Sequence, residues 1–88
     1  MSMSHNFKAF KDKLEEGYSW PSLYMFKFIV PKGKEDLVAE LFPKHEIKSR
    51  ESNQGNYVSI TVQSMCNSSD EIIDIYKKAH EIEGLIAL

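Results

Sequence analysis

The sequence predicts a single α+β domain in which a leading helix precedes the order β-α-β-β-α-β. Three observations carry that prediction. Residues 22–30 and 57–65 alternate their side chains with the period of two that a strand requires. Residues 35–42 and 72–82 instead repeat apolar side chains at the three-to-four spacing of a helix face. Turn-forming clusters separate these segments, and 88 residues suffice for one modest core but not for a two-domain enzyme with an interdomain cleft.

The leading helix is read over residues 7–16. Phe7, Phe10 and Leu14 share one side, while Lys8, Lys11, Asp12, Lys13 and Glu15 cover the other. Asn6 is placed to cap it and Gly17 to end it. A helix this short is marginal alone, so its apolar side must pack; the expected place is the sheet face that the other helices leave free, over Met25 and Ile29. Pro21 then opens the first strand, in which Tyr24, Phe26, Phe28 and Val30 make one face and Leu23, Met25, Lys27 and Ile29 the other. Only Lys27 is charged, which suits a central strand. Pro31-Lys32-Gly33-Lys34 turns into a helix over residues 35–42, where Leu37, Val38, Leu41 and Phe42 form a stripe. Glu35 and Asp36 complement the positive end of that helix, and Pro43 stops it.

Residues 45–52 read as an edge strand around Ile47, because Glu46, Lys48, Arg50 and Glu51 discourage pairing with another chain. Ser52-Asn53-Gln54-Gly55-Asn56 is a hairpin turn into a one-sided strand, with Val58, Ile60 and Val62 inward and Tyr57, Ser59, Thr61 and Gln63 outward. Ser68 and Glu71 form a capping box before a helix that reaches about Glu83 along Ile72, Ile75, Tyr76, Ala79 and Ile82. Gly84 stops it, and residues 85–88 form a short last strand. This is the order of a ferredoxin-like βαββαβ sandwich: a four-stranded antiparallel sheet with two helices on one face. Right-handed crossovers place the first and third strands in the centre and the second and fourth at the edges. The domain is expected over residues 22–88, with residues 1–21 as an N-terminal segment.

Trp20-Pro21 ahead of the aromatic strand Tyr24-Met25-Phe26-Lys27, the hairpin exit Gly55-Asn56-Tyr57 with Ser59 two residues on, Ile75-Tyr76 in the last helix, and the terminal Leu88 form a pattern. It resembles the YbeD-like family of small uncharacterised bacterial proteins over about residues 14–88. The hairpin exit is its most distinctive piece. The resemblance implies a fold similar to ACT regulatory domains, which bind amino acids or other small effectors, commonly at domain interfaces. It implies a non-enzymatic, regulatory role by analogy, with no cofactor, and an effector near the turn after the first strand, at Lys32, Gly33 and Lys34.

Physically, helix-start amides and two lysines can hold a carboxylate there, and Gly33 admits close approach to the backbone; the same residues also serve as a plain solvated turn. Asn53, Gly55, Asn56 and Tyr57 form a second candidate, a recognition hairpin, and equally suit the geometry of the turn. His5, His45 and His80 are scattered and Cys66 stands alone, so no metal-ligand spacing exists and no metal is expected. Cys66 follows a strand and precedes a helix start, where a thiol can be activated, but a buried spectator is the expected reading. An acylphosphatase-like enzyme would need an arginine in the loop after the first strand, and Arg50, the sole arginine, falls elsewhere.

A net charge of -2 supplies no field to gather phosphates, which disfavours nucleic acid and anionic membranes. The single cysteine fits a reducing compartment, no apolar run approaches a membrane span, and a cytoplasmic location is expected. The expected function is therefore an ACT-like regulatory domain that binds an amino-acid-like effector or a partner protein, with a homodimer formed through a sheet edge or face. Two alternatives stand beside it. One is a pure protein-protein interaction module; the other is weak RNA binding on the open sheet face, where Tyr57 is the only aromatic residue of its strand.

Overall fold

The structure, a computed structural model, describes residues 3–88. Its elements run α1 (Met3–Gly17), β1 (Ser22–Pro31), α2 (Glu35–Ala39), β2 (Lys48–Glu51), β3 (Tyr57–Cys66), α3 (Ser69–Ala79) and β4 (Ile86–Ala87). β1 and β3 pair antiparallel along their whole length, from Ser22 opposite Cys66 to Pro31 opposite Tyr57. β2 lies outside β3 and β4 outside β1, so the antiparallel sheet has the order β2-β3-β1-β4. The first and third strands are central, as their apolar rows require. This is the ferredoxin-like plait.

One face of the sheet makes the core. Phe26, Phe28 and Val30 from β1 and Val58, Ile60 and Val62 from β3 meet Ile72, Tyr76 and Ala79 of α3, with Val38 and Phe42 from α2 and the turn after it; all are buried. Each large side chain so buried contributes about 1.5–3 kcal/mol. Phe26 is the centre of the packing, its ring 5.1 Å from that of Phe42 and 5.4 Å from that of Tyr76. The Ser68 side chain caps α3 by accepting from the Glu71 amide at 3.3 Å. The Glu71 carboxylate reaches the amide of Asn67 at 3.1 Å, one residue earlier than a capping box prescribes. Asp70 and Glu71 in the first turn and Lys77 and Lys78 in the last match the helix dipole.

The structure corrects the expected place of the leading helix. α1 does not cover the free sheet face over Met25 and Ile29; it packs beside α3 in the helical layer. Leu14 is buried in the core, and the Phe10 ring meets Tyr76 edge-on at 5.3 Å. The reason is the shortness of α2. Its five residues cover about 7.5 Å, whereas the ten-residue strands run about 33 Å, so α2 and α3 alone leave part of the core face bare. Three helices therefore share one face.

Smaller differences have local causes. α1 begins at Met3, so Asn6 lies within the helix rather than at its cap; the side chains of residues 1–6, including His5, lie outside the described set. α2 ends at Ala39, and the amides of Leu41 and Phe42 then bond back three residues, to Val38 and Ala39. This tighter winding leaves Leu37 outside, with Val38 and Phe42 inside. β2 is shorter than expected, and Ile47 precedes it, half-buried against the core. α3 ends at Ala79, and Ile82 follows in a turn. At the hairpin, the left-handed position is Gly55, with φ +73°, and not an asparagine. Among the described residues no helix is long and apolar enough to cross a membrane.

Candidate functional site

The register of the sheet defines one continuous open face. β1 contributes Leu23, Met25, Lys27 and Ile29; β3 contributes Tyr57, Ser59, Thr61, Gln63 and Met65. Lys48 pairs with Thr61 and Arg50 with Ser59, and Ile86 lies opposite Ile29. The Leu88 amide donates to the Lys27 carbonyl at 2.9 Å and prolongs the last strand by one residue. Leu23 is 53% exposed, Met25 45%, Met65 60% and Tyr57 48%. The face is thus ordered along the strands. Leu23, Met25 and Met65 occupy one end, Lys27 and Lys48 the middle row with Leu88 beside Lys27, and Ile29, Arg50, Tyr57 and Ile86 the other end. Two shallow concavities lie on it. One, of about 300 Å³, is lined by Met25, Glu46, Lys48, Thr61 and Gln63; the other, of about 430 Å³, includes Ile29, Arg50, Asn53, Tyr57 and Ser59.

The turn of Lys32, Gly33 and Lys34 follows the end of β1, at the start of α2. Two of its donors are already engaged. The Gly33 amide, on a residue with φ +101°, donates to the Glu35 carboxylate, and Lys32 forms an ion pair of 2.6 Å with Glu51. Backbone donors, its own amide and that of Gly33, hold the Glu35 carboxyl below the usual carboxylate range. The turn therefore holds a carboxylate that belongs to the chain itself. Lys34 precedes α2 and borders a shallow groove with Leu37, Glu40, Lys78 and Glu81. Of the hairpin residues, Asn53 and Tyr57 border the 430 Å³ concavity, and the Tyr57 amide donates to Ser52 Oγ at 3.3 Å. Gly55 forms the turn, and the Asn56 carbonyl accepts from the Lys32 amide at 3.0 Å. The two candidate sites are thus bridged through the backbone and the Lys32–Glu51 pair, but they do not form one pocket.

Periodicity gives no hint of the polar cluster between α1 and α3. Lys11 Nζ donates to Ser69 Oγ at 2.9 Å and to Asp70 at 2.8 Å; Ser69 Oγ donates to Glu15, which also accepts from Trp20 Nε1 at 3.3 Å. A lysine on a serine hydroxyl is the pairing of a Ser-Lys nucleophile. Two features oppose that use here. Ser69 is fully buried, and the hydrogen bond and charge of Asp70 hold Lys11 protonated above the usual lysine range. The cluster is a latch between helices: the Ser69 and Trp20 donors hold the Glu15 carboxyl below its ordinary value. Cys66 is buried, and burial pushes its thiol up, away from reactivity. His45 Nε2 lies 2.9 Å from Ser64 Oγ, a packing role beside Phe42. Among the described residues no three or more His, Cys, Asp or Glu stand together as metal ligands do.

The fold and its uncovered face define a small ferredoxin-like domain with one sheet surface free. A family model described as a protein of unknown function, DUF493, matches residues 15–88, and the chain belongs to that family, the YbeD family of uncharacterised proteins. The match begins at the residue after Leu14, so most of α1 lies outside it. No curated protein and no solved structure is a match.

Proposed function

We propose that this chain is a non-enzymatic interaction domain of ACT-like fold, which acts by binding a partner protein on its open sheet face. One observation carries the reading. The sheet buries Phe26, Phe28, Val30, Val58, Ile60 and Val62 on one face, yet leaves Leu23, Met25 and Met65 together and about half exposed on the other. Contiguous apolar exposure on a small domain is costly to keep and marks an interaction surface. Effector binding at Lys32, Gly33 and Lys34 has less support, because Glu35 and Glu51 already occupy the Gly33 amide and the Lys32 ammonium, two of the donors that an effector carboxylate would use. RNA binding has little, since Tyr57 is, among the described residues, the one exposed aromatic side chain on the face.

The test pairs two measurements. Capture on the immobilised chain should retain a specific protein that the Met25→Gln/Met65→Gln double variant, folded by circular dichroism, releases. A panel of amino acids and their keto acids should leave the thermal midpoint unchanged, whereas an effector at 100 times its Kd would add about 2.7 kcal/mol. A stabilising amino acid, or capture indifferent to the two methionines, would overturn the proposal.

A further inference from the structure

The distribution of charge on the open face identifies the kind of partner it suits. The whole chain carries 13 acidic residues against 11 basic ones, but the face reverses that balance. Lys27, Lys48 and Arg50 project from it, while only Glu46 and Glu51 border it. Glu51 is tied to Lys32 at 2.6 Å. Among the described residues Lys27, Lys48 and Arg50 form no ion pair. Lys48 and Lys27 flank Thr61 across the sheet, about 10 Å apart at two strand spacings, and Arg50 lies in the next inward-outward repeat. The Lys27–Lys48 row separates the apolar end at Leu23, Met25 and Met65 from the end at Ile29, Tyr57 and Ile86, and Arg50 stands on the Ile29 row beyond it.

Resting on the interaction reading above, we infer that the open face receives an acidic amphipathic helix of a partner protein. A second copy of this chain is a poor occupant, because face-to-face association would set like charges against each other. A helix is the element that covers a sheet face, as α1, α2 and α3 do on the opposite side. From Leu23 to Ile29 the face runs about 20 Å along β1, the length of roughly 13 helical residues. Such a helix would place apolar side chains over both ends and Asp or Glu over the Lys27–Lys48 row between them. It would complete a layer on either side of the sheet.

The probe is a library of random 16-residue peptides displayed against the full chain, followed by fluorescence anisotropy of the selected sequences. Selected peptides should carry Asp or Glu between Leu, Ile, Phe or Met at helical spacing. The Lys27→Glu/Lys48→Glu/Arg50→Glu variant should weaken them at least about tenfold, as should 0.5 M salt. Selected peptides that are neutral or basic, or that bind the charge-reversed variant equally well, would overturn the acidic partner. If binding also ignores Met25→Gln/Met65→Gln, the interaction reading falls with it; if it is lost there but survives charge reversal, only the acidic partner falls. Displacement of the peptides by oligouridylate, or a dimer of the free chain abolished by the same methionine changes, would likewise reject this occupant.

Discussion

Replacing Gly84 by alanine should test the close approach that joins the end of α3 to the sheet. Gly84 has φ +83°, and a Cβ built there lies 2.7 Å from Cγ and 3.1 Å from Cδ of Pro31. The left-handed backbone costs an alanine about 1–2 kcal/mol. The contact adds about 1–3 kcal/mol, because a proline ring cannot rotate away and either the turn or the end of β1 must shift. The sum, about 2–5 kcal/mol, is a large part of the stability of a domain this size. Gly55 is the control: its φ is +73° but nothing stands within 4 Å of its Cβ, so Gly55→Ala should lose only the backbone share. Urea unfolding followed by circular dichroism measures both. In a Pro31→Ala background the excess loss at Gly84 should disappear, and that background also keeps the comparison measurable if Gly84→Ala alone is too unstable. Equal losses for Gly84→Ala and Gly55→Ala, or an excess that survives removal of the Pro31 ring, would refute the reasoning.

Two further outcomes follow from the polar contacts. Ser69→Ala removes the hydroxyl that holds Glu15 and Lys11 and should cost about 1 kcal/mol in urea unfolding. Because the folded protein holds Glu15 below its unfolded value, the stability this carboxylate contributes is present above the unfolded value and lost as pH falls through the folded one; NMR titration should show Glu15 moving up in Ser69→Ala. Burial raises the Tyr76 phenol, reinforced by the Tyr24 hydroxyl 3.1 Å away. Its contribution should therefore be complete below the unfolded value near pH 10 and fall as pH rises beyond it, and Tyr76→Phe should flatten that alkaline loss in thermal melts at a series of pH values.

Strand identity was legible because the alternation in β1 and β3 is dense and unambiguous: ten residues each, with Phe26, Phe28, Val58, Ile60 and Val62 all pointing one way. The cap of α3 was legible too, since Ser68 acts on an amide only three residues away. The open face was only half legible. Leu23, Met25 and Lys27 could be assigned to the outer side of their strand, but pairing alone shows that Met65 stands beside Leu23 and that Lys48, Thr61 and Lys27 share a row. The latch around Ser69 was invisible, for its partners Lys11 and Glu15 lie 58 and 54 residues away in the chain.

Periodicity, capping and turn chemistry are short-range properties, and by themselves they determined the element order and the two central strands, and hence the plait. Where α1 packs was a different kind of question. Phe7, Phe10 and Leu14 mark an apolar side but not the surface that receives it, and the answer depended on how much of the core face a five-residue α2 leaves bare. Only the tertiary structure settled that competition. By drawing α1 into the helical layer, it left the other face of the sheet uncovered, with Met25, Met65, Lys27, Lys48 and Arg50 turned outward.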